Sequence, residues 1–355
     1  MANIQQNNKR IILNSKILIL QQRIDAFVKL GSFLASEEAA ESPILHAVST
    51  KNPWYTRANV LQQFQAIAGN LTAAKLEQWL ANAPQQDVPK TVGLVLAGNL
   101  PLVGFHDIMT VLLAGFTAMI KTSSDDAGLT NFVLDKLLDL EPQFREKIKL
   151  VERLENFDLV IATGSNNSAR YFEHYFGKYP HIIRKNRNSL AVLSGQETPE
   201  QLTALGHDIF DYFGLGCRSV SKIFLPKAYP IPQLFDQLES FHPIKDHFKY
   251  NNNYDFNKSI YLINKNVHFD NGFLLLKEDD ALASPLAVVH YAYYENIQDV
   301  KEYINTHNEE IQCVTTEMDL QGVESPVFPL GNSQCPALDD YADNVDTLAF
   351  LVANQ

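Results

Sequence analysis

What this sequence has little of narrows the field first. It holds only three cysteines, Cys217, Cys313 and Cys335, an odd number and widely spaced. They form no Cys-x-x-Cys pair and no Cys/His spacing suited to zinc, so neither a disulfide framework nor a metal site is expected. A reducing compartment, the cytoplasm, is. No long Lys/Arg run occurs, and 41 acidic against 29 basic residues leave a formal charge of -12, the opposite of a nucleic-acid binder's footprint. That charge does not exclude a small polyanion, which needs only a local cation or a helix N-terminus. No stretch approaches the roughly 18 uninterrupted apolar residues of a membrane span. The opening MANIQQNNKRIILNSKILIL has apolar patches, but Asn14, Ser15 and Lys16 interrupt them, and it has neither a signal-peptide core nor a small-residue cleavage site. A GxGxxG run is missing too, which excludes the ordinary dinucleotide fingerprint. Internal repeats and low-complexity segments are also absent.

What is there is an ordinary globular composition, 46% hydrophobic, 20% charged and 10% aromatic, over 355 residues. A chain of that length exceeds what one compact core usually holds, so two domains are expected. The first ninety or so residues read as helices: Leu18–Leu34, Thr56–Ile67 and Ala73–Leu80 carry apolar residues at roughly helical spacing. Asn52-Pro53 and Pro84 mark joints between them. At Thr91 the pattern changes. TVGLV reads as a buried strand entering the loop Leu96–Pro101, followed by a helix over Leu102–Ala114, a strand over Phe116–Lys121 and a helix capped by Ser123 or Ser124, with Asp125 and Asp126 in its first turn. Leu159–Ala162 is a third strand, leading through TGSNNS into another helix. A second set begins near Ser189: a strand (SLAVL), a helix over Pro199–Phe213, a strand over Ser219–Leu225, then GFLLL (272–276), PLAVVHYAYY (285–294), a helix through NIQDVKEYI, and IQCVTT. NNNYDFN (251–257) reads as a surface loop. Strands alternating with helices at these lengths argue for a doubly wound, mainly parallel sheet.

Four places in this pattern could carry chemistry. Cys217 lies between a Gly-containing turn (Gly214, Gly216) and a strand; a thiol suits acyl transfer because its thiolate is nucleophilic and exchanges with thioesters. The alternative is an inert buried cysteine. Asn99 follows a strand and precedes Leu100-Pro101; its alternative is a turn asparagine. Lys121 ends a strand at the edge where open α/β sheets bind ligands, or simply meets solvent there. Thr163, Gly164 and Ser165 open a helix whose N-terminal N–H groups favour phosphate, or form a plain strand-to-helix turn. The histidines carry no comparable signal. His106, close after the Asn99 loop, and His207, before Cys217, are more often structural than catalytic in such positions.

LAGNLP (96–101), MIKTSS (119–124), IATGSNNS (161–168) and FGLGCRSVSKIFLP (213–226), in this order and spacing, resemble the aldehyde dehydrogenase superfamily. From about Thr91 to the C-terminus, including YADNVDTLAFL, the sequence is more closely similar to the fatty-acyl-CoA reductases of bacterial bioluminescence. The helical first ninety residues resemble the general superfamily poorly. The resemblance implies that Cys217 is the covalent nucleophile. It implies that Asn99, with the backbone N–H of Cys217, holds the substrate oxyanion. Lys121, with Ser123 and Ser124, and the Thr163–Gly164–Ser165 loop would contact a nicotinamide dinucleotide. The superfamily often has an acidic residue where Ser124 stands; without that charge a 2′-phosphate is tolerated, so NADPH is the expected cofactor, with NADH as the alternative. Two departures stand out. RKNRN (184–188) occupies the place of the glutamate that activates water in oxidising members, so slow formation of free acid is implied. DDALASPL (279–286) stands where an acidic residue usually grips the nicotinamide ribose, which leaves that contact unassigned.

The expected architecture is therefore an aldehyde-dehydrogenase-like α/β protein. A helical N-terminal region and dinucleotide-binding domain span 1–188, and an α/β catalytic domain spans 189–325 with the cysteine lying between the two. Residues 326–355 return to the cofactor domain or form an oligomer interface, homo-oligomers being compatible with this layout. The expected activity is reduction of an acyl-CoA or acyl-carrier thioester to a fatty aldehyde. The alternatives are a CoA-acylating aldehyde or semialdehyde dehydrogenase, and a non-catalytic nucleotide-binding protein of the same fold.

Overall fold

The computed structural model describes residues 18–355, so the interrupted apolar patches before Leu18 lie outside it. Within the described residues the chain divides into two compact units. The first comprises 18–185 with 337–341 and 345–355; the second comprises 186–336 with 342–344.

The first unit is built on five parallel strands: β1 (Thr91–Val95), β2 (Thr117–Lys121), β3 (Ile148–Leu150), β4 (Leu159–Thr163) and β5 (His181–Arg184), in the order β3-β2-β1-β4-β5. Because side chains alternate along a strand, the sheet buries two separate apolar layers. Val92, Leu94, Ile120 and Ile161 belong to one, and Met119, Val160 and Ala162 to the other. The first layer is shared with the helix Leu20–Leu34, whose buried Leu20, Ile24, Phe27, Leu30 and Leu34 recur at helical spacing. Phe27 is fully enclosed and meets the ring of Phe144 edge-on at 5.9 Å; burial of such a side chain stabilises by about 1.5–3 kcal/mol. The N-terminal helices are thus one wall of this core. The C-terminal residues of the unit are tied in by Trp79 Nε1 donating to Tyr341 at 2.8 Å and Arg184 to Thr347 at 2.8 Å.

The second unit has seven strands: β6 (Asn188–Val192), β7 (Val220–Pro226), β8 (Phe269–Asp270), β9 (Leu275–Glu278), β10 (Val288–Tyr294), β11 (Ile311–Thr315) and β12 (Val327–Phe328). Their order is β12-β11-β6-β7-β10-β9-β8, parallel throughout except for the antiparallel pair β8–β9. Leu190, Val192, Phe224, Val300, Ile304 and Val314 form its apolar layer between sheet and helix.

Most expected elements are present with shifted ends, and three differ. NNNYDFN is not a surface loop but lies within the helix Phe248–Ile263. Tyr250, Tyr254, Asn257 and Tyr261 form its buried face, and Asn257 Nδ2 donates to Leu286 O at 2.8 Å. A buried stripe of tyrosines and one asparagine is too polar in composition to register as a hydrophobic period. The helix after β2 begins at Leu129 rather than beside Ser123 or Ser124. Ser123 caps only a short 3-10 turn, Ser124–Asp126, and Asp126 accepts from the Thr130 N–H at 3.0 Å at the head of the true helix. The helix expected over Pro199–Phe213 stops at Phe210, for a reason that bears on the site.

Candidate active site

In the first unit the register places three loops side by side. Val95 pairs with Lys121 and with Ala162, so β1, β2 and β4 end at one level and the loops leaving them share the sheet's C-terminal edge. β1 is flanked by β2 on one side and β4 on the other. That reversal of strand order is the topological switch point where open α/β sheets bind ligands. Asn99, Lys121, Ser123, Ser124 and the Thr163–Gly164–Ser165 loop all lie on this edge.

Local contacts explain how each is held. Gly98 is a glycine because a Cβ there would come within 2.5 Å of Ser123 Oγ, so the Asn99 loop lies directly on the β2 loop. The buried Tyr55 hydroxyl lies 2.9 Å from Gly98 O and 2.8 Å from Leu100 O, gripping the carbonyls on both sides of the exposed Asn99. Burial and the nearby Asp126 and Asp125 hold this phenol well above its ordinary pKa, so it remains a donor. Asn52 Nδ2 donates to Asp125 O at 2.9 Å. Two residues of the N-terminal helical region therefore pin both loops, a role the sequence did not suggest because neither lies in a recognisable motif. Lys121 and Ser124 are exposed. Asp125, in the same turn, is exposed as well, so a carboxylate is already present beside the position of Ser124. Ser165 caps the helix Asn166–Phe176 by accepting from Ser168 N–H at 3.2 Å. Gly164 is required by packing, since a Cβ would meet Phe172 and Ser168 at 2.9 Å.

Cys217 belongs to the second unit. The preceding helix stops at Phe210 because Tyr212 (φ 53°), Phe213 (φ 61°) and Gly214 (φ 75°) turn left-handed in succession. For the two non-glycine residues this costs about 1–2 kcal/mol each. It persists because both rings are buried, Phe213 packing on His247 at 4.2 Å. The chain then makes a tight turn, with Ser219 N–H donating to Gly216 O at 3.0 Å and Gly216 N–H donating to Ser219 Oγ at 3.2 Å. Cys217 sits in that turn, half-buried. A cavity of about 220 Å³ lies beside the turn, lined by Gly216 and Ser219 but not by Cys217, with Asn188, Phe213, Ser284 and Leu286 among its other walls.

The other cysteines differ. Cys313 is fully enclosed on β11, and burial foremost pushes its thiol up to about 11. Cys335 is exposed, yet partial burial of its thiol and the neighbouring Asp211 and Asp208 raise its pKa. No disulfide joins the three. The two histidines take the structural reading. His106 bonds Leu338 O at 2.9 Å between the rings of Trp79 and Tyr341, and His207 pairs with Asp211 at 3.1 Å. Within RKNRN, Arg184 is buried against Asp107, and Arg187 donates to Asn308 O and Ile311 O, each at 3.1 Å. These side chains serve the fold, and none is a carboxylate.

The two sheets, their orders and the cysteine turn define the aldehyde dehydrogenase fold, and solved structures agree. The putative aldehyde dehydrogenase PutA from Anabaena variabilis matches with a TM-score of 0.67 over 94% of this chain and 86% of that one, at 13% identity. The Delta-pyrroline-5-carboxylate dehydrogenase from Mycobacterium tuberculosis bound with NAD gives 0.57 over 85% and 67%, at 17% identity. The acyl-CoA reductase (LuxC) family model matches residues 48–233, more than half the chain, and the chain belongs to that family. Among curated relatives, the long-chain acyl-protein thioester reductase of Aliivibrio fischeri is 27% identical over 174 residues, covering 42% of this chain and 35% of that one. Its counterpart from Photorhabdus laumondii is 23% identical over 171 residues, with the same shares. The match thus spans about a third of the length of these relatives. Among the described residues no helix is long and apolar enough to cross a membrane.

Proposed function

We propose that this protein reduces an acyl thioester, carried on CoA or on a protein, to the aldehyde, with Cys217 as the covalent nucleophile. The observation that carries the reading is the contrast among the cysteines. Cys217 alone sits in a glycine-flanked turn at a strand end, within the family match, while Cys313 is sealed in the sheet. In this reading the Cys217 thiolate attacks the thioester carbonyl. The new C–Sγ bond forms as the bond to the carrier sulfur breaks, and the carrier leaves as a thiolate that takes up a proton. Asn99 and the Cys217 N–H are assigned to the carbonyl oxygen by family likeness. Lys121, Ser123, Ser124 and the Thr163–Ser165 loop are assigned to the dinucleotide, NADPH before NADH. When bound, that cofactor supplies the hydride that converts the acyl carbon to an aldehyde. Cys217 then departs as thiolate, restoring the starting state. The absence of a carboxylate from RKNRN supports discharge by reduction rather than by water.

Mass spectrometry of the protein mixed with a panel of acyl-CoAs and acylated carrier proteins tests this. An acyl adduct should appear on wild type without cofactor, disappear on adding NADPH, and be missing from Cys217→Ser, in which a hydroxyl without an assigned base replaces the thiol. Reduction by Cys217→Ser at the wild-type rate would sink the covalent mechanism.

A further inference from the structure

We propose that Ser189 is a positioning residue for Cys217, with Cys313 as the hydrogen-bond donor that keeps Ser189 correctly turned. This rests on the reading of Cys217 as nucleophile. Ser189 lies at the start of β6, fully buried, between β11 and β7 in the sheet order. Its Oγ is 2.9 Å from the carbonyl oxygen of Cys217 and 3.1 Å from the Sγ of Cys313.

The direction of this chain follows from proton counting. A carbonyl can only accept, and a serine hydroxyl has one proton, so that proton goes to Cys217 O. The lone pairs of Ser189 Oγ then face Cys313, which must donate its S–H. Cys313 can do so at any pH the reaction meets, because burial keeps its thiol protonated to about 11. A thiolate there would instead draw the Ser189 proton away from the loop. Ser221 Oγ, the neighbouring hydroxyl, donates to Leu282 O at 2.8 Å and lies 3.3 Å from Ser189 O.

The bond matters because of where it acts. The Cys217 turn is closed by bonds between Gly216 and Ser219, Gln334 Nε2 donates to Ser219 Oγ at 3.4 Å, and Ser189 adds a bond from β6 to the Cys217 carbonyl itself. Ser189 holds the peptide that follows Cys217 against β6. It thereby fixes the direction in which the Cα–Cβ bond carries the thiol. A misplacement on the order of 1 Å in such a group costs about a hundredfold in rate.

The test measures single-turnover acylation of Cys217 by rapid quench and mass spectrometry, with KM for the thioester and cofactor affinity alongside. Ser189→Ala should slow acylation by roughly ten- to a hundredfold, with KM and cofactor affinity nearly unmoved. Ser189→Thr, which keeps a hydroxyl on Cβ, should recover most of the loss. Cys313→Ser, which keeps a donor, should acylate severalfold faster than Cys313→Ala. If Ser189→Ala does not fold, the Cys313 pair alone decides, and equal rates in that pair overturn the proposal. Wild-type acylation by Ser189→Ala, or a loss that Ser189→Thr does not repair, also overturns it. The nucleophile reading stands or falls separately: an inactive Cys217→Ser beside a fully active Ser189→Ala removes only the role of Ser189.

Discussion

The two units hold their candidate site loops at opposite ends of their strands. In the first, the Asn99, Lys121 and Gly164 loops leave the C-terminal ends of β1, β2 and β4, at the point where strand order reverses. In the second, the Cys217 turn enters β7 from its N-terminal end, beside a cavity lined by the first residues of β6, β7 and β10. The first arrangement is the usual consequence of a doubly wound sheet, whose crevice forms wherever neighbouring crossovers diverge. The second has no such general origin. It is assembled from three left-handed residues, a tight turn and buried hydroxyl contacts, and each must be specified individually. A site that topology provides tolerates variation in its loops; one built from local strain depends on the residues that hold it.

That contrast can be sharpened by substitution within the first unit. The largest effect is expected at the reacting group: Asn99→Ala should lower kcat by about 10²–10³-fold, as loss of one oxyanion donor does, while cofactor affinity stays near wild type. An unchanged kcat would remove Asn99 from the mechanism. Next comes its support. Tyr55→Phe deletes the hydroxyl that grips Gly98 O and Leu100 O, and kcat should fall by about tenfold through a looser Asn99. The accompanying loss of stability should be about 0.5–1.5 kcal/mol, the net worth of one hydrogen bond. In Asn99→Ala the same Tyr55→Phe change should have little further effect on kcat; additive losses in the double variant would show that Tyr55 acts elsewhere. The smallest effect is expected at the cofactor edge. Ser124→Glu should shift preference from NADPH towards NADH by roughly fivefold, a like-charge repulsion in a solvated setting. The exposed Asp125 limits the change, since one carboxylate is already in that turn. Titration of both cofactors against both proteins measures it, and an unaltered ratio would place the 2′-phosphate away from Ser124.

How much was legible follows the same divide. TVGLV and FTAMIK are short apolar runs closed by turn residues, a pattern that only a buried parallel strand explains well, and β1 and β2 lie where those runs are. The tyrosine-rich helix Phe248–Ile263 was missed because its buried face is polar by composition, and burial is set by what packs against it. The stop at Phe210 was missed because Tyr212 and Phe213 have no intrinsic preference for left-handed backbone. Surrounding rings impose that conformation.

By itself, the sequence determined the alternation of strands and helices and the motif order that carries the family resemblance. Those are properties of short segments, where apolar period, turn chemistry and glycine placement act over a few neighbouring residues. Only the tertiary structure decided that Tyr55 grips the Asn99 loop, that Ser189 and Cys313 lie beside the Cys217 carbonyl, and that the half-buried His106 bonds Leu338 O. Each of these pairs residues far apart in the chain. Their separations are fixed by sheet order and core packing, which no local pattern encodes.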